Sequence, residues 1–517
     1  MRCRDDSLQY PRIGIEFTGM RRELIVTNNP VFSKSRYLEG LQCPKLLWMR
    51  CNAKEEFPQT DDSTQAIFDQ GNQVTALART LFQGGIEIEG ITDYDSIIRR
   101  TQDLLPERVP LFEPAFRVKN LFARPDILSP NKDGSWDIFE VKSSTKVKDV
   151  NLNDVAFQAC CYEKAGLRIR RAHLVLINTD YVRSGKVNAK GLFKIKDVTK
   201  LVRPLCKQVE SNVERMIKIR DQRVRPEVKI GPQCSNPYDC PLQELCWKHI
   251  PEDSVFMYNR INADKAFGFI NEGFLKATDV PAERLTAATH QIVRACHAKK
   301  MTNVDLKVIK GFIQGLKFPL YLVDFETLNP AIPLYENSSP YQQIPFQFSL
   351  HIWEGWSKKP THHAFLSEGR DDPRPGLLKK LQSLIGPKGS IVAFNMSFEI
   401  GCLKDSVEVF PEYKNWFQEI EGRFIDLMVP FRRFDYYDPK QMGSYSIKAV
   451  YPALVGRSYD NMTISDGGQA SREYGRVTFT DGISEKEKQK IYDGLLEYCK
   501  LDTQAMVDIS KVLKSKT

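Results

Sequence analysis

The chain has 517 residues, 42% hydrophobic and 27% charged, with a net charge of +9. That length exceeds what one core holds, so two or three domains are expected, and the composition excludes a disordered chain. No run approaches the roughly 18 apolar residues of a membrane span, which excludes a membrane partner of that kind, while the mild positive charge suits a polyanion such as nucleic acid.

In chain order, residues 1–30 show no period and are expected to form an irregular extension. The start, Met1-Arg2-Cys3-Arg4, lacks the apolar core of a signal peptide, so a cytoplasmic location is expected. Ser33 or Ser35 can cap a short helix ending near Gly40, with Cys43 in a Cys-Pro turn behind it. Residues 63–81 are predicted helical, because Ala66, Ile67, Val74, Leu77, Ala78 and Leu81 recur near a 3.6-residue period. Gly71 within that helix is expected to mark a close helix–sheet approach.

Residues 123–128 and 136–141 read as two strands of a hairpin around the Pro-, Asn-, Asp- and Gly-bearing loop 129–135. A half-buried strand should not carry acids without a reason, because an unpaired buried carboxylate is costly. This hairpin carries Asp126, Glu140 and Lys142, and the last two share one strand face. A carboxylate pair beside a lysine can hold a divalent metal and activate a water on it. A helix over 150–166 then carries Gln158 and Tyr162. His173 begins a buried strand, where a packing role is expected. A helix over 200–220 leads into Arg215, Lys218, Arg220, Arg223 and Arg225, read as a solvated basic face.

Cys234, Cys240 and Cys246 are evenly spaced in a loop rich in Pro and Asn. In a cytoplasmic chain such cysteines are expected free or metal-bound rather than disulfide-bonded. Three thiolates leave one position of a four-ligand site, and the isolated Cys43, also beside a proline, can fill it. Four thiolates suit an iron–sulfur cluster or zinc, although the spacing differs from the short pairs usual for zinc.

Residues 251–317 are expected to be a helical connector. An apolar strand then runs into Asp324 and Glu326, again on one face. Residues 346–353 are expected to be the neighbouring strand. Asn395 and Glu399 stand at a strand-to-helix junction, and Asp426 at a strand end. A final helix over 484–514 carries Tyr498 and Asp502 four apart on one face. Its apolar stripe of Ile491, Leu495, Leu496, Cys499 and Met506 is expected to pack it on the sheet.

Pro125-Asp126, followed across the loop by Glu140-x-Lys142, resembles the PD-(D/E)xK nucleases, and Gln158-x-x-x-Tyr162 resembles a motif of their RecB-type branch. The resemblance implies a restriction-endonuclease-like domain over 31–250. Asp126 and Glu140 would hold Mg²⁺ or Mn²⁺, Lys142 would position or activate water, and Gln158 and Tyr162 would support the site or contact nucleic acid. RecB-type nucleases often take a histidine or acid from the helix placed here at 63–81, which offers only Asp69. One distant cysteine plus three clustered ones resembles the iron–sulfur staple of AddB and of CRISPR-associated RecB-like exonucleases. It implies a four-iron four-sulfur cluster on Cys43, Cys234, Cys240 and Cys246, with zinc as the alternative.

Asp324-x-Glu326, Asn395-x-x-x-Glu399 and Tyr498-x-x-x-Asp502 together resemble the DEDD exonucleases of the DnaQ group in their tyrosine-bearing form. This implies an RNase H-like domain over 318–517, in which Asp324, Glu326, Glu399 and Asp502 hold two metals and Tyr498 orients the attacking water. That group carries Asp where this chain has Glu399. The whole order resembles an uncharacterised bacterial family that joins a RecB-like nuclease to a C-terminal domain of unknown function. The expectation is an α/β, metal-dependent nuclease, an exonuclease acting on DNA, with RNA as the alternative substrate. The competing expectation is a nucleic-acid-binding subunit with one or both sites decayed.

Overall fold

The computed structural model describes residues 31–517 apart from 60, 89–92 and 461, so the extension expected over 1–30 lies outside the described residues. The architecture is mixed α/β, with a six-stranded and a five-stranded sheet and two two-stranded ribbons. No described helix is long and apolar enough to cross a membrane.

The first half contains β1 (Ile86–Glu87), β2 (Leu111–Phe112), β3 (Phe116–Val118), β4 (Leu121–Ala123), β5 (Ile127–Pro130), β6 (Trp136–Lys142), β7 (Ile169–Ile177) and β8 (Phe193–Asp197). Its sheet runs β1-β2-β5-β6-β7-β8. β6 pairs antiparallel with β5 and parallel with β7. The expected hairpin is present, but its first strand is shifted. Leu121–Ala123 pairs with β3 instead, and the chain joins the main sheet only at Ile127. Pro125 has no N–H to give a ladder, and Asp126 offers its carboxylate to β6 in place of its backbone, accepting the Val141 N–H at 2.7 Å.

Alternation along β6 divides its side chains between two layers. Trp136 and Ile138 belong to the core under the helices Asp149–Lys164 and Thr199–Arg220. Val141 and Phe139 belong to the core under the helix Asp62–Arg79. Glu140 and Lys142 share the face of Ile138, so the candidate acid and lysine point towards the Asp149–Lys164 helix. Gly71 does not mark a close approach. A Cβ there would meet nothing within 4 Å, because the helix buries its stripe only from Val74 onward.

Ser33 caps the helix Lys34–Gln42, which runs two residues past the expected Gly40. Cys43 is the junction to the helix Pro44–Asn52, whose first residue is a proline, the position where a missing N–H costs least. In the basic run, Arg215, Lys218, Arg223 and Arg225 are exposed. Arg220 is the correction: it is buried and pairs with Asp221 at 2.7 Å.

The middle segment carries the helices Ala263–Asn271, Ala288–Lys299 and Leu306–Gly315 and the short β9 (Asn303–Val304). Its small core joins Tyr258, Phe269 and Val293 to Phe434 and Tyr437 of the second half. There follow β10 (Leu320–Leu328), β11 (Ile344–Trp353), β12 (Thr361–Leu366), β13 (Ser390–Ala393), β14 (Phe424–Asp426) and β15 (Tyr436–Tyr437), which pairs with β9. The sheet order is β12-β11-β10-β13-β14, with β13 parallel to β10 and the first three strands antiparallel. Leu320 and Leu322 join the core of the final helix, Glu485–Ser515, while Tyr321, Val323 and Phe325 join a core on the other face.

The β10–β11 connection reaches the first half. Ala331, Ile332 and Tyr341 pack with Val74, Ile127 and Val141. Arg183 donates to the carbonyls of Pro333, at 3.0 Å, and Leu334. The Tyr341 hydroxyl donates to the carbonyl of Ser143, the residue after Lys142.

Candidate active sites

In the first half, Glu140 is buried between two ammonium groups, Lys34 Nζ at 2.6 Å and Lys142 Nζ at 2.8 Å. Lys142 also reaches Asp154 at 2.7 Å. Gln158 donates to Glu140 at 2.9 Å and to Asp154 at 2.7 Å. Asp126, Glu140 and Lys142 are therefore brought together as expected. Burial, then the neighbouring Glu140 charge, pushes the Asp126 carboxyl up to about 7. Burial opposes ionisation of Glu140 too, but Lys142 and Lys34 outweigh it and hold that carboxyl well below its ordinary range. Burial likewise acts against the charge of Lys142, and Glu140 and Asp154 overcome it. Lys142 is thus a cation in this arrangement, suited to positioning.

Gln158 and Tyr162 were expected to support the site or to contact nucleic acid, and their burial leaves the supporting role. Gln158 is fully buried and joins the two acids, and Tyr162 is fully buried with its hydroxyl donated to the Pro114 carbonyl, so neither presents a surface for nucleic acid. Both lie on the inner face of a helix packed between the sheet and a second helix. Asp69 is exposed and accepts from Gln65 of its own helix at 2.9 Å, away from the other acids. Lys34 and Asp154 complete the cluster unforeseen. Asp154 stands four residues before Gln158, which puts it on the same helical face. His173 packs flat on Phe139, with 4.4 Å between ring centroids.

In the second half, β10 presents Asp324 and Glu326 to the final helix, which presents Tyr498, Cys499 and Asp502. Glu399 enters from the first turn of the helix Met396–Val409. Glu326, Glu399 and Asp502 are buried and Asp324 is half-buried. Burial pushes Asp324 well above its ordinary range, with Asp502, Glu399 and Glu326 adding to it. Burial, then Asp502, pushes Glu326 up to about 8. Glu399 also rises to about 8, through burial, then Asp426 and Asp502. Asp502 rises only to about 6, because the Tyr459 hydroxyl, donated at 2.7 Å, offsets its burial.

Oε2 of Glu399 is buried with no hydrogen-bond partner. Four carboxyl groups that feel one another's charge, each held up, and one orphaned oxygen form a site that a divalent cation would neutralise, although among the described residues only Asp324 and Glu326, with Cys499, bring ligand atoms within 4.8 Å of one another and Glu399 and Asp502 stand farther out. The residues present therefore fit one. Tyr459, Lys448 and Cys499 belong to the site and were not foreseen as part of it. The Lys448 ammonium lies 5.3 Å from the Tyr498 ring and 5.8 Å from the Tyr459 ring.

Cys43, Cys234, Cys240 and Cys246 are half-buried and line one cavity. Gln42 ties the first helix to this loop, donating to the carbonyls of Gln233 and Tyr238 at 2.8 Å each. Burial first, and then the other three thiols, raises Cys240 to about 11. The four sulfurs thus converge although 191 residues separate Cys43 from Cys234 in the chain. Among the described residues, the acid-and-thiol group closing within 4.8 Å is Asp324, Glu326 and Cys499, so the four cysteines are set wider than that.

Residues 321–446 match a family described as a domain of unknown function (DUF2779). The chain is 27% identical over 285 residues to "Uncharacterized protein MG366 homolog" of Mycoplasma pneumoniae, a match covering 51% of this chain and 42% of that protein. It is 24% identical over 241 residues to "Uncharacterized protein UU173" of Ureaplasma parvum, covering 41% and 34% respectively. The matches thus span less than half the length of either relative. The family match runs from Tyr321 and contains Asp324, Glu326, Glu399 and Asp426, while Tyr498 and Asp502 lie beyond it.

Proposed function

We propose that the chain is a metal-dependent nuclease whose second half carries an exonuclease site. The observation that supports this best is the convergence of Asp324, Glu326, Glu399 and Asp502 from one strand and two helices, with an unpartnered oxygen on Glu399. A bound Mg²⁺ or Mn²⁺ supplies an activated water and neutralises phosphate charge. The carboxylates would hold it, and Glu399 reaches in from a helix start with one methylene more than aspartate. Burial, then the Asp502 charge, keeps the Tyr498 phenol protonated, so its hydroxyl can donate to or orient a water. Lys448 faces the same acids and suits a phosphate oxygen. The order β12-β11-β10-β13-β14, with acids on the central strand, agrees with an RNase H-like fold.

In this reading the first half is restriction-endonuclease-like, with Asp126 and Glu140 towards a metal and Lys142 beside them. The four cysteines hold a four-iron four-sulfur cluster that secures its two ends. Four thiols converging on one cavity support a shared metal centre, with a tetrahedral zinc as the alternative occupant. One observation favours a second reading for the first site alone. Lys34 already occupies Glu140, and the cluster of Asp126, Glu140, Asp154, Lys34 and Lys142 is nearly neutral without a metal. That suits a nucleic-acid-binding site that no longer cuts.

The test uses linear and covalently closed single-stranded DNA with Mn²⁺ or with EDTA. The proposal expects loss of the linear strand with Mn²⁺ and survival of the circle. Linear and circular strands both intact with Mn²⁺ would overturn it.

A further inference from the structure

The final helix brings more than Tyr498 and Asp502 to the second site. Cys499, three residues before Asp502 and therefore on the same helical side, is fully buried. Its Sγ lies 3.7 Å from Asp324 Oδ2 and 3.7 Å from the Asp324 carbonyl oxygen. One ligand atom from each of Asp324, Glu326 and Cys499 falls within 4.8 Å of the others. A tetrahedral metal with its sulfur at about 2.3 Å and its oxygen at about 2.1 Å separates the two donors by about 3.6 Å. The observed sulfur–oxygen spacing, which the S–H hydrogen bond to Asp324 also satisfies, lets both atoms serve one ion without rearrangement. A second feature points to the same ligand. The Oε2 of Glu399, whose charge acts on Asp324, is buried with no hydrogen-bond partner.

We infer that Cys499 is a thiolate ligand of the second site, making it a mixed carboxylate–thiolate centre that prefers borderline and soft divalent ions, Co²⁺ or Cd²⁺, over Mg²⁺. The inference rests on the metal-site reading given above and adds the ligand that sets metal choice. Thiolates select softer ions, whereas carboxylate-only sites suit Mg²⁺. On binding, the Cys499 S–H bond breaks, a sulfur–metal bond forms and the proton leaves to water, so binding releases one more proton than carboxylates alone. In the metal-free protein the same S–H donates to Asp324, which keeps the sulfur aimed at the ion's position.

The test titrates the full-length protein with Co²⁺, Cd²⁺ and Mg²⁺ by calorimetry and absorption, comparing wild type, Cys499→Ser, Cys499→Ala and Asp324→Asn. Each variant is first checked by circular dichroism. Subtracting the Cys499→Ser spectrum cancels the four distant cysteines. The expected result is a near-ultraviolet sulfur-to-cobalt band in the difference spectrum, Cd²⁺ affinity at least about tenfold lower in both Cys499 variants, and Mg²⁺ affinity within about twofold of wild type. Equal Cd²⁺ affinity and no difference band, with binding still lost in Asp324→Asn, would overturn the Cys499 assignment and leave the metal site standing. Binding of all three ions unaffected by Asp324→Asn would remove the metal site itself, and the Cys499 assignment with it.

Discussion

Two clusters of acids, each built on a central strand, differ in how their charge is balanced. Around Glu140 the balance is internal: Lys34 and Lys142 lie within 2.8 Å of its oxygens. Around Asp324 burial first, and then the neighbouring acids, hold the carboxyls up, and Glu326 and Glu399 reach about 8 against an ordinary 4.5. A carboxyl raised on folding binds more protons in the folded state, so stability falls as pH rises from the unfolded value to the folded one. The metal-free protein should therefore lose thermal stability between about pH 5 and pH 8. Saturating Mn²⁺ should flatten that slope. Melting curves at both pH values, with EDTA and with Mn²⁺, check it, and an EDTA curve that rises with pH contradicts it. The first site makes an opposite demand. Replacing Lys34 by Met removes a cation that competes for Glu140. In an Asp324→Ala background, Lys34→Met should raise Mn²⁺ affinity at the first site by about tenfold, measured by calorimetry. Unchanged affinity would show that Lys34 does not compete there.

At the scale of elements, much was legible and the gaps have physical causes. The final helix was readable because its stripe repeats over many turns from a serine cap. Asp126, Glu140 and Lys142 stood out as charges on an otherwise apolar hairpin. The first hairpin strand, expected over 123–128, begins only at Ile127, because Ala123 closes a separate ribbon with β3 and Pro125 and Asp126 break the ladder between them. Lys34 was out of reach, since its partner Glu140 is 106 residues away and no local period links them. Cys499 read as one more member of an apolar stripe, and only the packed helix shows what it touches. Gln158 and Tyr162 kept their helical spacing, and burial decides between the two roles expected for them, leaving internal support. The cysteine loop carries its own prediction. Protein purified without oxygen should be brown, with about four irons per chain. Cys43→Ala should lose the colour and make the loop after Arg220 a preferred site for limited proteolysis. A colourless, iron-free wild type that folds normally contradicts the cluster.

Across the molecule, the two halves are joined by the loop that leaves the Asp324 strand. It reaches the first half through Arg183 and through Tyr341, whose hydroxyl bonds to the residue following Lys142. Arg183→Ala together with Tyr341→Phe should loosen this contact and split thermal unfolding into two transitions, seen by scanning calorimetry. A single transition shifted as a whole would mean that the apolar contacts of Ala331 and Ile332 suffice. The same junction places both candidate sites in one body, so their activities must be separated by substitution. The most direct measurement of the central claim is the product ladder from a 5′-labelled single strand incubated with Mn²⁺ and Lys142→Ala protein. Stepwise shortening from the 3′ end, abolished when Asp324→Ala is added, is the predicted result. A strand that stays full length with Lys142→Ala, or a ladder that persists with both substitutions, would contradict it.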